Sequence, residues 1–187
     1  HADIGIACAL KIELAPLLSR CLTLNKYTGG DFVFRGGHYE DARIAVVESG
    51  PGFARARRAT EALIEAHTPT WVLSCGFSGA LQPELKLGHI VMANGISDTH
   101  GQHFPLDLEI PGSLPQGVHV GRLLTADAIV RTAEEKRTLG EAHDALAVDL
   151  ESLAVAQVCR DRQVRFMAVR VISDDMDTDL PPEIHSV

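Results

Sequence analysis

Short apolar runs alternate with amphipathic stretches from one end of the 187-residue sequence to the other, and that alternation constrains the fold more than any single motif. Residues 4–10, 44–49, 71–75, 88–93, 118–124, 145–148 and 166–172 have the length and apolar content of buried strands. Between them, residues 11–20 predict a helix, and Phe53, Ala56, Thr60, Leu63, Ile64 and His67 fall on one helical stripe. Thr125 is placed to cap a further helix over 127–139 that Gly140 ends. Leu150, Leu153, Ala154, Gln157 and Val158 mark the last one. Aromatic residues are only 5% of the chain, so the core has to come from valine, isoleucine, leucine and alanine, as in strands buried on both faces. The strand-then-helix order predicts a single three-layer α/β/α domain over residues 1–187, built on a central, largely parallel twisted sheet. Residues 95–117, polar and rich in glycine and proline, predict a long functional loop or flap.

The formal charge of −8 excludes the basic surface that nucleic-acid binding needs. Arg55, Arg57 and Arg58 form the densest basic cluster, a solvated helix face or else a contact to a phosphate or a partner. No apolar stretch approaches the roughly 20 residues of a membrane span. No signal peptide is visible. Cys8, Cys21, Cys75 and Cys159 are far apart and form no CxxC pair, which predicts reduced thiols and a cytoplasmic protein. His100 and His103 lie near Asp98 and Asp107, but no third ligand follows at helical or hairpin spacing, so no metal is expected.

In α/β sheets, ligands bind beyond the carboxyl ends of the strands. The polar or glycine-rich exits here are residues 11–13, 50–52, 76–79, 149–151 and 173–175. Three of them place acids directly after an apolar run: Glu13, Asp149 with Glu151, and Asp174 with Asp175. An isolated acid in such a place is a helix cap or surface group, but several converging on one cleft suit glycosidic chemistry. That reaction passes through an oxocarbenium-like transition state, needs a proton on the leaving group and needs an activated nucleophile. Gly76, Phe77, Ser78 and Gly79 form an exit whose backbone can approach a sugar or an anion. There is no GxGxxG and no Walker A sequence, so no cofactor is expected. Ser74 lacks the GxSxG frame and the ordered partners of a serine hydrolase.

Several segments, taken in chain order, resemble the purine nucleoside phosphorylase and uridine phosphorylase superfamily. They are Ile4-Gly5-Ile6 through Glu13, Ser49-Gly50-Pro51-Gly52, Ser74 to Leu81, and Leu87-Gly88-His89-Ile90-Val91. The most specific are Val148-Asp149-Leu150-Glu151-Ser152 and Val169-Arg170-Val171-Ile172-Ser173-Asp174, similar to the family's V-E-M-E and R-x-I-S-D signatures. The nearest branch is the one containing 5′-methylthioadenosine/S-adenosylhomocysteine nucleosidase. Residues 123–136 and 148–156 also look like hopanoid-associated enzymes that act on an adenosylated lipid. The resemblance implies that Asp174 protonates or hydrogen-bonds N7 of a departing purine, that Glu151 grips the ribose hydroxyls, and that Glu13 orients attacking water with Arg170 nearby. It places Leu150 beneath the sugar, where the family has methionine, and Ile129 and Val130 against the base, where the first is often aromatic. Asp149, Gly76, Phe77 and Ser78 complete the implied binding set, with Phe77 standing where the family has a serine. Relatives also continue into a helix beyond the last motif, which this sequence is expected to lack or to carry shortened.

Ser74 stands where some phosphorylases carry a phosphate-binding arginine, and Lys11-Ile12-Glu13 stands in place of a phosphate loop. Both departures favour hydrolysis. The expected activity is therefore a nucleosidase that converts a 5′-substituted adenosine-type nucleoside to free purine and a ribose derivative. A phosphorylase using inorganic phosphate and a non-catalytic nucleoside-binding protein are the alternatives. The resemblance implies a homo-oligomer.

Overall fold

The computed structural model describes residues 1–184, and their contacts group into two compact units. The first comprises residues 1–76 and 154–167, and the second comprises 77–153 with the chain from 168 onward.

In the first unit, β1 (Ile4–Cys8) lies between two parallel neighbours. Ile4 sits opposite Ile44 of β4 (Ala42–Glu48) on one side and opposite Trp71 of β5 (Trp71–Ala80) on the other. Alternate β1 side chains enter different cores, so the strand is buried on both faces. Ala7 packs with Ala45, Val47 and Val72 against Ala56, Ala59 and Leu63 of α2 (Phe53–His67). Ala154, Val155 and Val158 complete that core. Ile6 and Cys8 face Leu14 and Leu18 of α1 (Lys11–Leu18). Alanines at the helix contacts let backbones approach closely, which is how a core so poor in aromatic residues still packs.

The sequence pattern missed two strands here, β2 (Leu22–Gly29) and β3 (Phe32–Tyr39), an antiparallel hairpin that continues the sheet beyond β4. Seven of the eight β2 residues are exposed, so it carries no buried alternation to read. The three basic residues of α2 have protein partners: Arg55 donates to the Ser49 carbonyl at 2.6 Å, Arg57 pairs with Glu61 and Asp161, and Arg58 pairs with Asp31.

The second unit corrects the expectation of a largely parallel twisted sheet. Here β6 (Ile90–Asp98) pairs parallel with β8 (Val118–Thr125), and β8 pairs parallel with β9 (Ala147–Asp149). The β9–β5 pairing is antiparallel, as is that of β6 with β10 (Arg165–Asp174). Because β10 also pairs with β5, the order β10-β6-β8-β9-β5 closes on itself as a five-stranded barrel. A register shift between Ala93 and Gly95 of β6 supplies a bend, and closure leaves no raw edge in the ring. Hydrophobic periodicity reports which residues are buried but not which way neighbours run, so this closure was invisible to it.

Three local expectations also change. Residues 76–79 are not a turn: they continue β5 as strand. The expected flap is partly sheet, since β6 runs to Asp98 and His103–Pro105 forms β7 against it, which leaves residues 106–117 irregular. The third helix, α3, is Ala133–His143 rather than 127–139. Its cap is Thr132, whose hydroxyl accepts the Glu135 N–H at 3.1 Å while Glu135 returns a bond to the Thr132 N–H at 2.9 Å. Gly140 lies inside this helix because the Leu81 carbonyl occupies the space a β-carbon would need. The fourth helix, α4, is Ser152–Asp161. No described helix is long and apolar enough to cross a membrane, and none lies within 175–184.

Candidate active site

The strand β9 passes into α4 through only two residues, Leu150 and Glu151. That short exit crowds three polar side chains around one guanidinium. Arg170 of β10 is 1% exposed. Its Nε lies 3.0 Å from Oδ2 of Asp149 in an ion pair, and Nε and Nη2 donate to the Ser152 hydroxyl at 3.2 and 3.0 Å. Its Nη1 lies 3.7 Å from Oε2 of Glu151. A buried guanidinium is tolerated only when paired and hydrogen-bonded, and this one is both.

The two carboxylates of this cluster are used differently. The Asp149 side chain is fully buried. It accepts bonds from the Thr125 hydroxyl at 2.8 Å, from the Ser152 N–H at 3.2 Å and from the Ser152 hydroxyl. Thr125 in turn accepts the Leu153 N–H at 3.1 Å, which locks the start of α4 to the end of β8. Asp149 thus caps the helix and pairs with Arg170. Glu151 retains 10% side-chain exposure and a longer approach to Arg170. It is the more exposed of the two.

The second polar centre lies at the carboxyl end of β10. Asp174 is 8% exposed, and its Oδ1 accepts the Ser173 hydroxyl at 2.8 Å. Its Oδ2 faces Nζ of Lys136 at 2.5 Å. Among the described residues this oxygen has no hydrogen bond of good geometry, and the Lys136 charge is its ion-pair partner. A β-carbon on Gly79 would come within 3.0 Å of the same oxygen. The glycine expected to make a turn instead clears space for this carboxylate. Asp175, next along the chain, is held below the usual carboxylate range chiefly by the Thr178 hydroxyl, which donates to it at 2.6 Å.

The remaining expected residues fall into distinct places. Val130 and Leu150 pack against one apolar cluster with Leu81, Leu124 and Val148. Ile129 and Val130, in the irregular segment before α3, line a cavity of about 440 Å³ together with Thr132, Glu135 and Leu139. That volume lies in the range of small-molecule sites. Along β5, Phe77 is 40% exposed and Ser78 is buried, as strand alternation requires. The Ser78 hydroxyl has no hydrogen-bond partner among the described residues, while its carbonyl accepts the Ser173 hydroxyl at 3.3 Å. Gly76 is buried in the first unit's part of β5.

Glu13 belongs to the first unit, where its Oε2 accepts the N–H groups of Ala9 and Leu10, each at 2.9 Å. It therefore caps α1 at the exit of β1. Of the acids singled out by the sequence, the second unit brings Asp149 and Glu151 together around Arg170 and sets Asp174 against Lys136. Sequence reasoning missed Lys136, although a capping box at Thr132 and Glu135 fixes the phase of α3 and turns Lys136, Leu139 and Gly140 to one face. His100 pairs with Asp127 at 2.7 Å, and no cluster of three potential metal ligands occurs among the described residues.

Comparison with known proteins places this geometry in a family. The curated 5′-methylthioadenosine/S-adenosylhomocysteine nucleosidase of Staphylococcus haemolyticus is 24% identical, over 91% of this chain and 86% of its own. A Helicobacter pylori nucleosidase of the same name, solved with butyl-thio-DADMe-Immucillin-A, is 26% identical with a TM-score of 0.78, covering 93% of this chain and 85% of its own. A futalosine hydrolase mutant from Helicobacter pylori strain 26695 is 25% identical with the same TM-score, covering 95% and 87%. The profile of the phosphorylase superfamily matches residues 3–116 and 112–185, and this chain belongs to that superfamily.

Proposed function

We propose that this protein is a purine nucleosidase, hydrolysing the N-glycosidic bond of a 5′-substituted adenosine-type nucleoside to free purine and a ribose derivative. The observation that carries this reading is Asp174, a carboxylate fixed at the end of β10 with Gly79 cut away in front of it. A purine leaves poorly as an anion, and a proton delivered to N7 lets the glycosidic electron pair collapse onto a neutral base. Correctly placed general acids contribute about 10²–10⁴-fold.

On the sugar side, Glu151 accepts bonds from the ribose hydroxyls, and Arg170 with Asp149 behind it holds that carboxylate in place. Charge-assisted bonds of this kind are roughly twice as strong as neutral ones. Leu150 and Val130 supply the apolar surface beneath sugar and base. Ile129 supports the base without the stacking an aromatic residue would give, which leaves selectivity to the polar contacts. Glu13 orients the attacking water, the role its place in the resemblance gives it. Water is the co-substrate, because Ser74 stands in place of the phosphate-binding arginine.

The names of the relatives set the substrates to try: 5′-methylthioadenosine, S-adenosylhomocysteine and futalosine. Products should be separated after incubation with and without inorganic phosphate. Free purine and a free ribose derivative in phosphate-free buffer support hydrolysis. Phosphate-dependent turnover giving a ribose 1-phosphate establishes the phosphorylase instead, and binding without turnover establishes a nucleoside-binding protein.

A further inference from the structure

Lys136 is a lysine that the fold keeps at 0% exposure near the start of α3, and packing alone does not account for it. Burying an ammonium is expensive, and an apolar side chain of similar size is often neutral or stabilising in such a place. The ammonium has three close neighbours: it donates to the Asp175 carbonyl at 2.9 Å and to the Thr178 carbonyl at 2.7 Å, and it forms an ion pair with Oδ2 of Asp174 at 2.5 Å. Two of the three are neutral backbone groups that fix where the nitrogen sits. The third is the carboxylate expected to give a proton to the leaving group. Ser173 holds the other oxygen of that carboxylate at 2.8 Å, so the group cannot turn away.

We propose that Lys136 is the positioning residue that supplies Asp174 with the proton it passes to the purine. This rests on the nucleosidase reading. A proton moves from Nζ of Lys136 to Oδ2 of Asp174, so one N–H bond breaks as one O–H bond forms. As the glycosidic bond breaks and its electron pair moves to N9, that O–H bond breaks in turn and its proton forms the N7–H bond of the departing purine. Lys136 is left as a neutral amine, still held by its two carbonyls, and regains a proton from solvent once the purine has departed. The pair starts and ends each cycle as carboxylate and ammonium. The proton for the purine therefore comes from within the fold rather than from bulk water entering the base pocket.

The test uses Lys136→Met and Lys136→Ala, with circular dichroism and thermal unfolding to establish that each is folded. Lys136→Met should lower kcat on purine nucleosides by about 10²-fold, in line with loss of a general acid, with KM changed by less than about threefold. On a nitrophenyl riboside, whose leaving group needs no proton, the same variant should lose less than about fivefold. Methylammonium or ethylammonium should restore part of the Lys136→Ala rate, and tetramethylammonium, which has no N–H, should not. A residue that merely packs would lower both substrates alike and respond to none of these ions. Near-normal purine turnover by folded Lys136→Met, or rescue by tetramethylammonium, overturns the proposal and leaves the nucleosidase reading standing. A wild-type protein that cleaves no nucleoside overturns the reading itself, and this proposal with it.

Discussion

Arg170 and Lys136 are both fully buried cations of the second unit, and each meets the carboxylate of a proposed site acid, yet their surroundings differ. Arg170 faces two carboxylates, and one of them, Asp149, is saturated by Thr125, Ser152 and the arginine itself. Lys136 faces one carboxylate, and its other partners are neutral carbonyls. A guanidinium is planar, forked and effectively never deprotonated, so it suits a fixed frame. An ammonium is a point charge that can give up a proton. On the proposed reading, the sugar end of the site is held still and the base end exchanges a proton.

That contrast is open to breakage, most severely through stability. Arg170→Met should strand Asp149 as a buried carboxylate without its cation and cost about 3–5 kcal/mol, the usual penalty for breaking a buried pair from one side. Lys136→Met should cost distinctly less, since Asp174 keeps Ser173 as a donor and 9% side-chain exposure. Urea unfolding of both variants measures the difference. Equal losses would mean that the two cations are one kind of structural pair.

Activity should show the next largest effect, and at the other end of the site. Asp174→Asn preserves shape but not the transferable proton, so kcat on purine nucleosides should fall by at least about 10²-fold. KM should move far less, because the contribution arises in the transition state. Glu151→Gln should instead affect binding and turnover together, by about tenfold or more in kcat/KM, the scale of a charged hydrogen bond. A 2′-deoxy substrate should already have lost most of that advantage, so the mutation should cost it little. If Asp174→Asn raises KM and Glu151→Gln lowers only kcat, the two ends have been assigned the wrong way round.

The same contrast separates what was legible in the sequence from what was not. Asp174 and Glu151 stand out because each follows an apolar run at a strand exit, where a side chain can face a ligand while its neighbours pack, whereas Arg170, inside the run 166–172, is marked only by the resemblance. Helix α2 and strands β1 and β4 were readable from burial period alone. Lys136 was not, because it sits among Glu134, Glu135 and Arg137, and a charged run in a helix reads as its solvent face. Thr125 and Thr132 are both plausible caps in isolation; only Thr132 has glutamate three residues on, and the structure gives Thr125 to Asp149 instead. The barrel was hidden for another reason, since strand direction is a property of pairs and leaves no trace in one strand's periodicity.

The smallest expected effect asks how far the Lys136 charge reaches. Asp175 lies beside Asp174 but is open to water, and its carboxyl is lowered first by the Thr178 hydroxyl, with the Asp177 N–H, Lys86 and Lys136 contributing less. Its ionised form is therefore favoured by folding. The corresponding stability is present above the ordinary aspartate range, near pH 4, and is lost as pH falls through the folded value below it. Thr178→Val removes the leading cause, so carbon-detected NMR titration should show the Asp175 carboxyl moving back up towards its ordinary range. Lys136→Met should move it in the same direction but by less, because solvent screens a charge that acts on an exposed group. The ordering of the two variants is what matters. Should Lys136→Met give the larger rise, the ammonium's field extends well beyond Oδ2 of Asp174, and Lys136 acts on the whole chain exit rather than on one carboxylate.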